Sequence, residues 1–164
     1  MKIHISGGSG SGKTYAASIL SKKLALPHYD LDDLFWDHTS TYYGKRTDPI
    51  LRDQKLKSIV QQDKWIIEGV YLSWAAPSFS AANKIIVLIP ALSVQEKRIW
   101  ERYEQRKSYE TGKHKRETYE SIQELITWNK NYNKKFLPDF LNYNLYQEKI
   151  AVFENNDDVI RTFL

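Results

Sequence analysis

The chain has no cysteine and a single methionine. That excludes disulfides, thiolate metal sites and cysteine nucleophiles, and it fits a reducing compartment. Long hydrophobic runs are also missing. The longest, Ile85-Ile86-Val87-Leu88-Ile89, is far shorter than the ~20 apolar residues a membrane-spanning helix requires. No apolar stretch precedes residue 7, so a soluble, cytoplasmic protein without a membrane partner is expected. Repeats, low-complexity tracts and linkers are absent, and 164 residues predict one domain over residues 1–164. The four histidines have no metal-site spacing and are expected as ordinary surface residues. Nothing in the chain specifies an oligomeric state.

Glycine is scarce, but four of the seven fall between positions 7 and 12. The run Gly7-Gly8-Ser9-Gly10-Ser11-Gly12-Lys13-Thr14 matches G-x-x-x-x-G-K-[ST]. A strand-like stretch over residues 2–6 precedes it and an amphipathic stretch over residues 13–24 follows, the context this phosphate-binding loop demands. Glycines let backbone N–H groups wrap a phosphate, Lys13 reaches the outer phosphates, and the Thr14 hydroxyl serves Mg²⁺. The helix dipole beginning there favours the same anion. The loop, together with Tyr15, is expected to hold a nucleoside triphosphate.

Further strand-like segments occupy residues 27–30, 65–68, 84–89 and 149–153, separated by helical stretches, which predicts a doubly wound α/β fold with helices on both faces of a five-stranded parallel sheet. Residues 49–62 read as a helix with Ile50, Leu51, Leu56, Ile59 and Val60 near one face. Ser93-Val94-Gln95-Glu96 reads as a capping box for a helix running to about residue 107. Residues 119–133 resume the helical pattern through Ile122, Leu125, Ile126 and Trp128, and Pro138 is expected to end the last long helix. A lid is expected over residues 107–117. Asn155, in the turn after the fifth strand, is expected at the edge that meets the nucleotide.

The loop alone does not separate GTPases, motors and kinases. Asp-x-x-Gly is absent, and the near-match Asn129-Lys130-Asn131-Tyr132 lacks the aspartate that reads guanine, which speaks against a GTPase. Ile85–Ile89 ends in Pro90-Ala91 rather than a carboxylate, which speaks against a motor. Carboxylates instead follow the second and third predicted strands, at Asp30, Asp32 and Asp33 and at Glu68. Either the aspartates cap a helix entering Leu34-Phe35-Trp36, or Asp32 orients an acceptor or joins Thr14 and Glu68 around Mg²⁺. Glu68 ends a buried strand, where a carboxylate needs a partner.

The chain carries a net charge of +4, and its most basic segment spans residues 97–116. Arg98, Arg102 and Arg106 recur every four residues on one helix face. They either form a solvated face paired with Glu101 and Glu110, or they stabilise charge on transferring phosphates with Lys113, Lys115 and Arg116. A DNA-binding reading of the same segment stays open as a minor alternative, as does a slow regulatory ATPase.

These motifs, with Tyr29-Asp30-Leu31-Asp32-Asp33-Leu34-Phe35-Trp36 and Trp65-Ile66-Ile67-Glu68-Gly69-Val70-Tyr71, resemble P-loop kinases of the adenylate kinase-like superfamily, and within it the DNA topology modulation (FlaR-type) proteins. The resemblance spans nearly the whole chain. It implies ATP and Mg²⁺, a three-layer P-loop fold with a helical, arginine-bearing lid, a substrate module over residues 34–62, and phosphoryl transfer to a small acceptor. Nucleoside monophosphate kinases of that superfamily carry Asp-Gly-Phe-Pro-Arg after the third strand; here Glu68-Gly69-Val70-Tyr71 has no such arginine. Arg46 and Arg52 are candidates to replace it. Trp36 and Tyr71 either stack on the acceptor or pack as core.

Overall fold

The first strand, β1 (Lys2–Gly7), alternates Ile3 and Ile5 on one face with His4 and Ser6 on the other, and all four are fully buried. A strand covered on both sides belongs in the middle of a parallel sheet. The computed structural model, which describes residues 1–41, 44–107, 117–143 and 145–164, places it there. The sheet also contains β2 (His28–Asp30), β3 (Trp65–Gly69), β4 (Lys84–Leu88) and β5 (Ile150–Phe153), all parallel, in the order β2-β3-β1-β4-β5. The order reverses beside β1. That switch point opens a crevice at the carboxyl ends of the strands, the standard ligand position in such sheets.

Period-two alternation divides the core between two faces. On one, Ile3, Ile5, Ile66, Ile86 and Leu88 pack against α1 (Lys13–Leu24) through Ala16, Ala17 and Leu20, and against α8 (Asn156–Phe163) through Val159. On the other, Trp65, Ile67, Ile85 and Val87 meet α3 (Pro49–Val60) through Leu56 and Ile59, and α4 (Ala76–Ala81) through Phe79. Each fully buried Leu or Ile side chain contributes about 2 kcal/mol of transfer free energy. The short α2 (Asp32–Phe35) follows β2 directly. A third cluster of Ile99, Tyr103, Ile122 and Ile126 joins α5 (Leu92–Lys107) to α6 (Tyr119–Asn131) away from the sheet.

Four local expectations are corrected. Helix α5 begins at Leu92, so Ser93 lies inside the first turn; the capping box instead opens α6, where Thr118 and Ser121 exchange side-chain and backbone bonds. Pro138 does not end the helix. A π-helical turn over Tyr132–Phe136, in which the Leu137 N–H reaches the Tyr132 carbonyl, leads into α7 (Leu137–Tyr143), and the proline is accommodated in that helix's first turn. Ile50 and Leu51 are exposed, because at helical spacing they lie more than about 100° round α3 from its buried Leu56. His4 is not a surface residue: it is fully buried, with Nδ1 2.8 Å from Ser78 Oγ. Of the residues expected to form the lid, Lys113, Lys115 and Arg116 lie outside the described residues, as does Glu110. Among the described residues no helix is long and apolar enough to cross a membrane.

Candidate phosphate and acceptor site

The glycine-rich loop runs from the end of β1 to the first turn of α1. Gly12 caps α1 at φ 93°, a left-handed conformation that side-chain-bearing residues rarely adopt, and a β-carbon there would collide with Asn156. The loop's carbonyls are engaged by cations: Lys13 donates to the Gly8 carbonyl (3.3 Å), and Arg98 donates to those of Gly10 (3.1 Å) and Ser11 (3.3 Å). This suits an anion cradle, because free carbonyls would repel phosphate. Arg102 donates to the Ser9 hydroxyl (3.3 Å), and Arg106 pairs with Glu117 (2.6 Å). Burial and neighbouring Arg106 hold the Arg102 guanidinium below its ordinary pKa, partly offset by Glu117 and Asp32. Among the described residues the carboxylates of α5 meet lysines, Glu101 with Lys97 and Glu104 with Lys107, and its arginines reach the loop and Glu117.

Glu68 shares the sheet face of Ile66, two residues earlier, which directs it to the start of α1. It is fully buried, and Oε1 accepts a 2.7 Å hydrogen bond from the Thr14 hydroxyl. His28 Nε2 lies 3.6 Å from the same oxygen. Its other oxygen, Oε2, is buried with no hydrogen-bond partner among the described residues, and the Ser11 hydroxyl inside the loop is in the same condition. Unpartnered buried oxygens are costly, and these two lie within the loop and beside Thr14 at its end. Parallel register sets Asp30 opposite Glu68. Burial first, then the Glu68 charge, raises the Asp30 carboxyl from 3.8 to about 7, against the opposing pull of the Asp32 N–H and Lys13.

Asp32 begins α2, exposed, and its Oδ1 accepts a 2.7 Å bond from the Tyr71 hydroxyl. Burial and the Asp32 charge push the Tyr71 phenol above its ordinary pKa. The aromatics pack on one another: Phe35 lies 4.8 Å from Tyr71 and 4.8 Å, edge-on, from Trp36, and Tyr71 lies 4.8 Å from Trp74. An isolated antiparallel bridge between Trp36 and Arg46 folds the insert back, placing the exposed Arg46 guanidinium 5.4 Å from the Phe35 ring centre. Arg52 is more committed, stacked over Trp74 at 4.5 Å and paired with Asp53 at 2.8 Å.

Asn155 and Tyr15, both expected at the nucleotide, lie at the start of α8 and in the first turn of α1. The Asn155 side chain caps α8 by accepting from the Asp158 N–H, and the neighbouring Asn156 faces the loop instead. Tyr15 points to solvent, 57% exposed. Sequence reasoning passed over Asp30 in favour of Asp32, because strand register is invisible before the sheet is built. It also missed Gln95, Asn129 and Asn133, two buried amides and a half-buried one behind the loop. Their signal was present: Asn129 and Asn133 continue the Ile122–Ile126 stripe at helical spacing, and Gln95 precedes Ile99 by one turn.

A five-stranded parallel sheet with helices on both faces and a glycine-rich loop at its switch point defines an α/β fold of the P-loop kinase type. The chain is similar to shikimate kinase from Bacteroides thetaiotaomicron, with a TM-score of 0.61 and 16% identity over 99% of this chain and 96% of that one. A gluconokinase from Sinorhizobium meliloti 1021 gives a TM-score of 0.57 and 14% identity over 99% and 89% of the two chains. Shikimate kinase from Acinetobacter baumannii, in complex with shikimate, gives 0.59 and 16% over 98% and 89%. At such identities the likeness is one of fold. In sequence, 72 residues are 35% identical to "Uncharacterized protein YqaC" of Bacillus subtilis (strain 168), covering 44% of this chain and 39% of that relative. No family model matches the chain.

Proposed function

We propose that the chain is an ATP-dependent phosphotransferase, a single domain that moves the γ-phosphoryl group of ATP to a hydroxyl of a small molecule such as a nucleoside, nucleotide or similar compound. The observation that carries the reading is the Thr14–Glu68 pair, with a buried, unpartnered carboxylate oxygen at the mouth of the phosphate loop. The residues present fit a magnesium nucleotide: a loop whose carbonyls are engaged by cations, a free Ser11 hydroxyl, and a hydroxyl beside a carboxylate of the type Mg²⁺ prefers. Mg-ATP, when bound, supplies the transferable phosphoryl group and much of the charge neutralisation.

The chain's own residues divide the remaining work. Lys13 leaves the Gly8 carbonyl to meet phosphate oxygens, Thr14 and Glu68 hold the metal, and Arg102, already at the loop, offsets developing charge. Arg98 braces the loop through its carbonyls. Asp30, titrating near neutrality beside Glu68, is suited to exchange a proton with an acceptor hydroxyl. Asp32, with Tyr71, orients that acceptor, and Arg46 with the Phe35–Trp36 edge borders it. The superfamily resemblance and the kinase fold support this reading. The topology-modulation resemblance adds a DNA role only through residues 97–116, most of whose basic loop lies outside the described residues.

The test is ATP consumption with Mg²⁺ against a panel of nucleosides, monophosphates and small polyhydroxylated acids and sugars, with Lys13→Ala as control. Stimulation by one acceptor class, lost in the control, is expected. Slow hydrolysis indifferent to every acceptor would sink the reading.

A further inference from the structure

Behind the phosphate loop lies a closed set of three amide side chains from two helices, Gln95 of α5, Asn129 at the end of α6 and Asn133 in the π-helical turn. Gln95 is fully buried and Asn129 is 3% exposed. Three neutral amides in such a place are costly unless their bonds close, and here they close in only one sense. The Pro90 carbonyl can only accept, so Gln95 Nε2 points to it (2.8 Å) and also donates to Asn133 Oδ1 (3.0 Å). That leaves Gln95 Oε1 facing the other way, where it accepts from Asn129 Nδ2 (3.0 Å) and Asn133 Nδ2 (3.1 Å). Asn129 is thereby turned so that its own oxygen faces the loop, and it accepts the Ser9 backbone N–H at 2.7 Å.

A second observation points the same way. A β-carbon on Gly8 would stand 2.5 Å from Asn129 Oδ1, 2.5 Å from Asn133 Nδ2 and 2.6 Å from Gln95 Oε1. The glycine is needed here for close approach, not for a turn, since its backbone is not left-handed. The π-helical turn contributes as well: it begins at Tyr132, and Asn133 within it also donates to the Asn129 carbonyl (2.8 Å).

We propose that Gln95, Asn129 and Asn133 are positioning residues that fix the outer side of the phosphate loop through the Ser9 N–H, so that α6 and the loop adopt their working geometry together. The inference rests on the nucleotide-binding reading above, and it predicts a coupling from α6, which contributes no residue to the phosphate cradle itself, to nucleotide affinity.

The experiment compares ligand-free and Mg-ATP-titrated protein for the wild type, Asn129→Ala, Ile126→Val and Lys13→Ala. Amide hydrogen exchange by NMR reads the Ser9 N–H without any ligand, and calorimetry reads the Kd for Mg-ATP. Asn129→Ala should remove the protection of the Ser9 amide and weaken Mg-ATP by about tenfold, the worth of one buried acceptor. Ile126→Val, one turn away in the same helix, should lower the Tm while leaving Ser9 protection and Kd at wild-type values. Should Asn129→Ala bind Mg-ATP like the wild type while Lys13→Ala loses it, the positioning role is overturned and the nucleotide site stands. Should Lys13→Ala also bind normally, the nucleotide reading falls and takes the coupling with it. Equal loss of affinity in Ile126→Val and Asn129→Ala would overturn the proposal too, by reducing it to general loosening of the helix pair.

Discussion

The two sides of the Thr14–Glu68 pair are built on different principles. On the loop side the polar groups are tied: carbonyls to Lys13 and Arg98, the Ser9 N–H to Asn129, the Ser9 hydroxyl to Arg102. On the insert side, the side chains are less constrained: Asp32 and Arg46 are exposed, held by one phenol and one ring contact. A rigid half suits a ligand of fixed chemistry, the polyphosphate. A looser half suits an acceptor whose identity is set by a few exchangeable side chains.

The largest effect expected is on the rigid half. Lys13→Ala should weaken Mg-ATP by about a hundredfold or more, with the Tm unchanged, because the lysine bonds only one loop carbonyl in the unliganded fold. Calorimetry and thermal unfolding on the same sample check both halves of that statement. A large Tm loss would mean that the loop's order depends on Lys13 and that the division drawn here is misplaced.

The opposite half should respond in the opposite sense. Arg46→Ala is expected to raise the KM for the acceptor found in the panel by about tenfold while changing the Mg-ATP Kd by less than about twofold, since among the described residues Arg46 meets Phe35 and Trp36 rather than the phosphate loop. If nucleotide affinity fell instead, Arg46 would belong to the phosphate side.

How much of each half could be read in the sequence follows from the same contrast. The loop is legible because backbone geometry dictates residue type: Gly12 at φ 93°, then Lys13 and Thr14 in the helix's first turn. The sheet's centre is legible because buried parallel strands are short apolar runs, as in β1, β3 and β4, and all five strands are observed within a residue or two of expectation. Asp30 was legible as a carboxylate but not as the partner of Glu68, because register depends on how β2 and β3 pair. The amide cluster was legible only as helical spacing within α6, because its closing bonds join residues 34 to 38 positions apart. His4 ran against expectation because one histidine in a strand carries no mark of its burial until Ser78 and Phe79 are folded onto it.

Asp30 sits where the two halves meet, and its titration sharpens the comparison. Its carboxyl ionises at about 7 in the folded protein and near the ordinary 3.8 when unfolded, so the folded state holds the extra proton between those values. The Asp30 contribution to stability is therefore full below about pH 4 and is lost as pH rises to 7. Asp30→Asn keeps the oxygen that accepts the Asp32 N–H and removes the charge that repels Glu68. Its Tm should exceed that of the wild type by about 5 °C at pH 8 and match it at pH 4. An equal gain at both pH values would remove charge from the explanation.

The smallest effect lies beneath the rigid half, on β1 itself. The Ser78 hydroxyl donates to the Ala75 carbonyl (2.7 Å), so it must accept from His4 Nδ1–H, which fixes a neutral imidazole whose Nε2 is buried without a partner among the described residues. Burial lowers the His4 pKa from 6.5 to about 3. The unfolded chain therefore takes up a proton that the folded one refuses between those values, and stability falls as pH drops from 6.5 toward 3. His4→Phe keeps a ring against Phe79, now at 4.1 Å, and removes both the orphaned nitrogen and the proton. Urea unfolding at pH 7.5 should differ little from the wild type, within about 1 kcal/mol, while the acid dependence should flatten by up to about one proton. An unchanged acid slope would show that the imidazole charges inside the fold, and would place its β1 neighbours, the loop strand included, in a wetter interior than the one described.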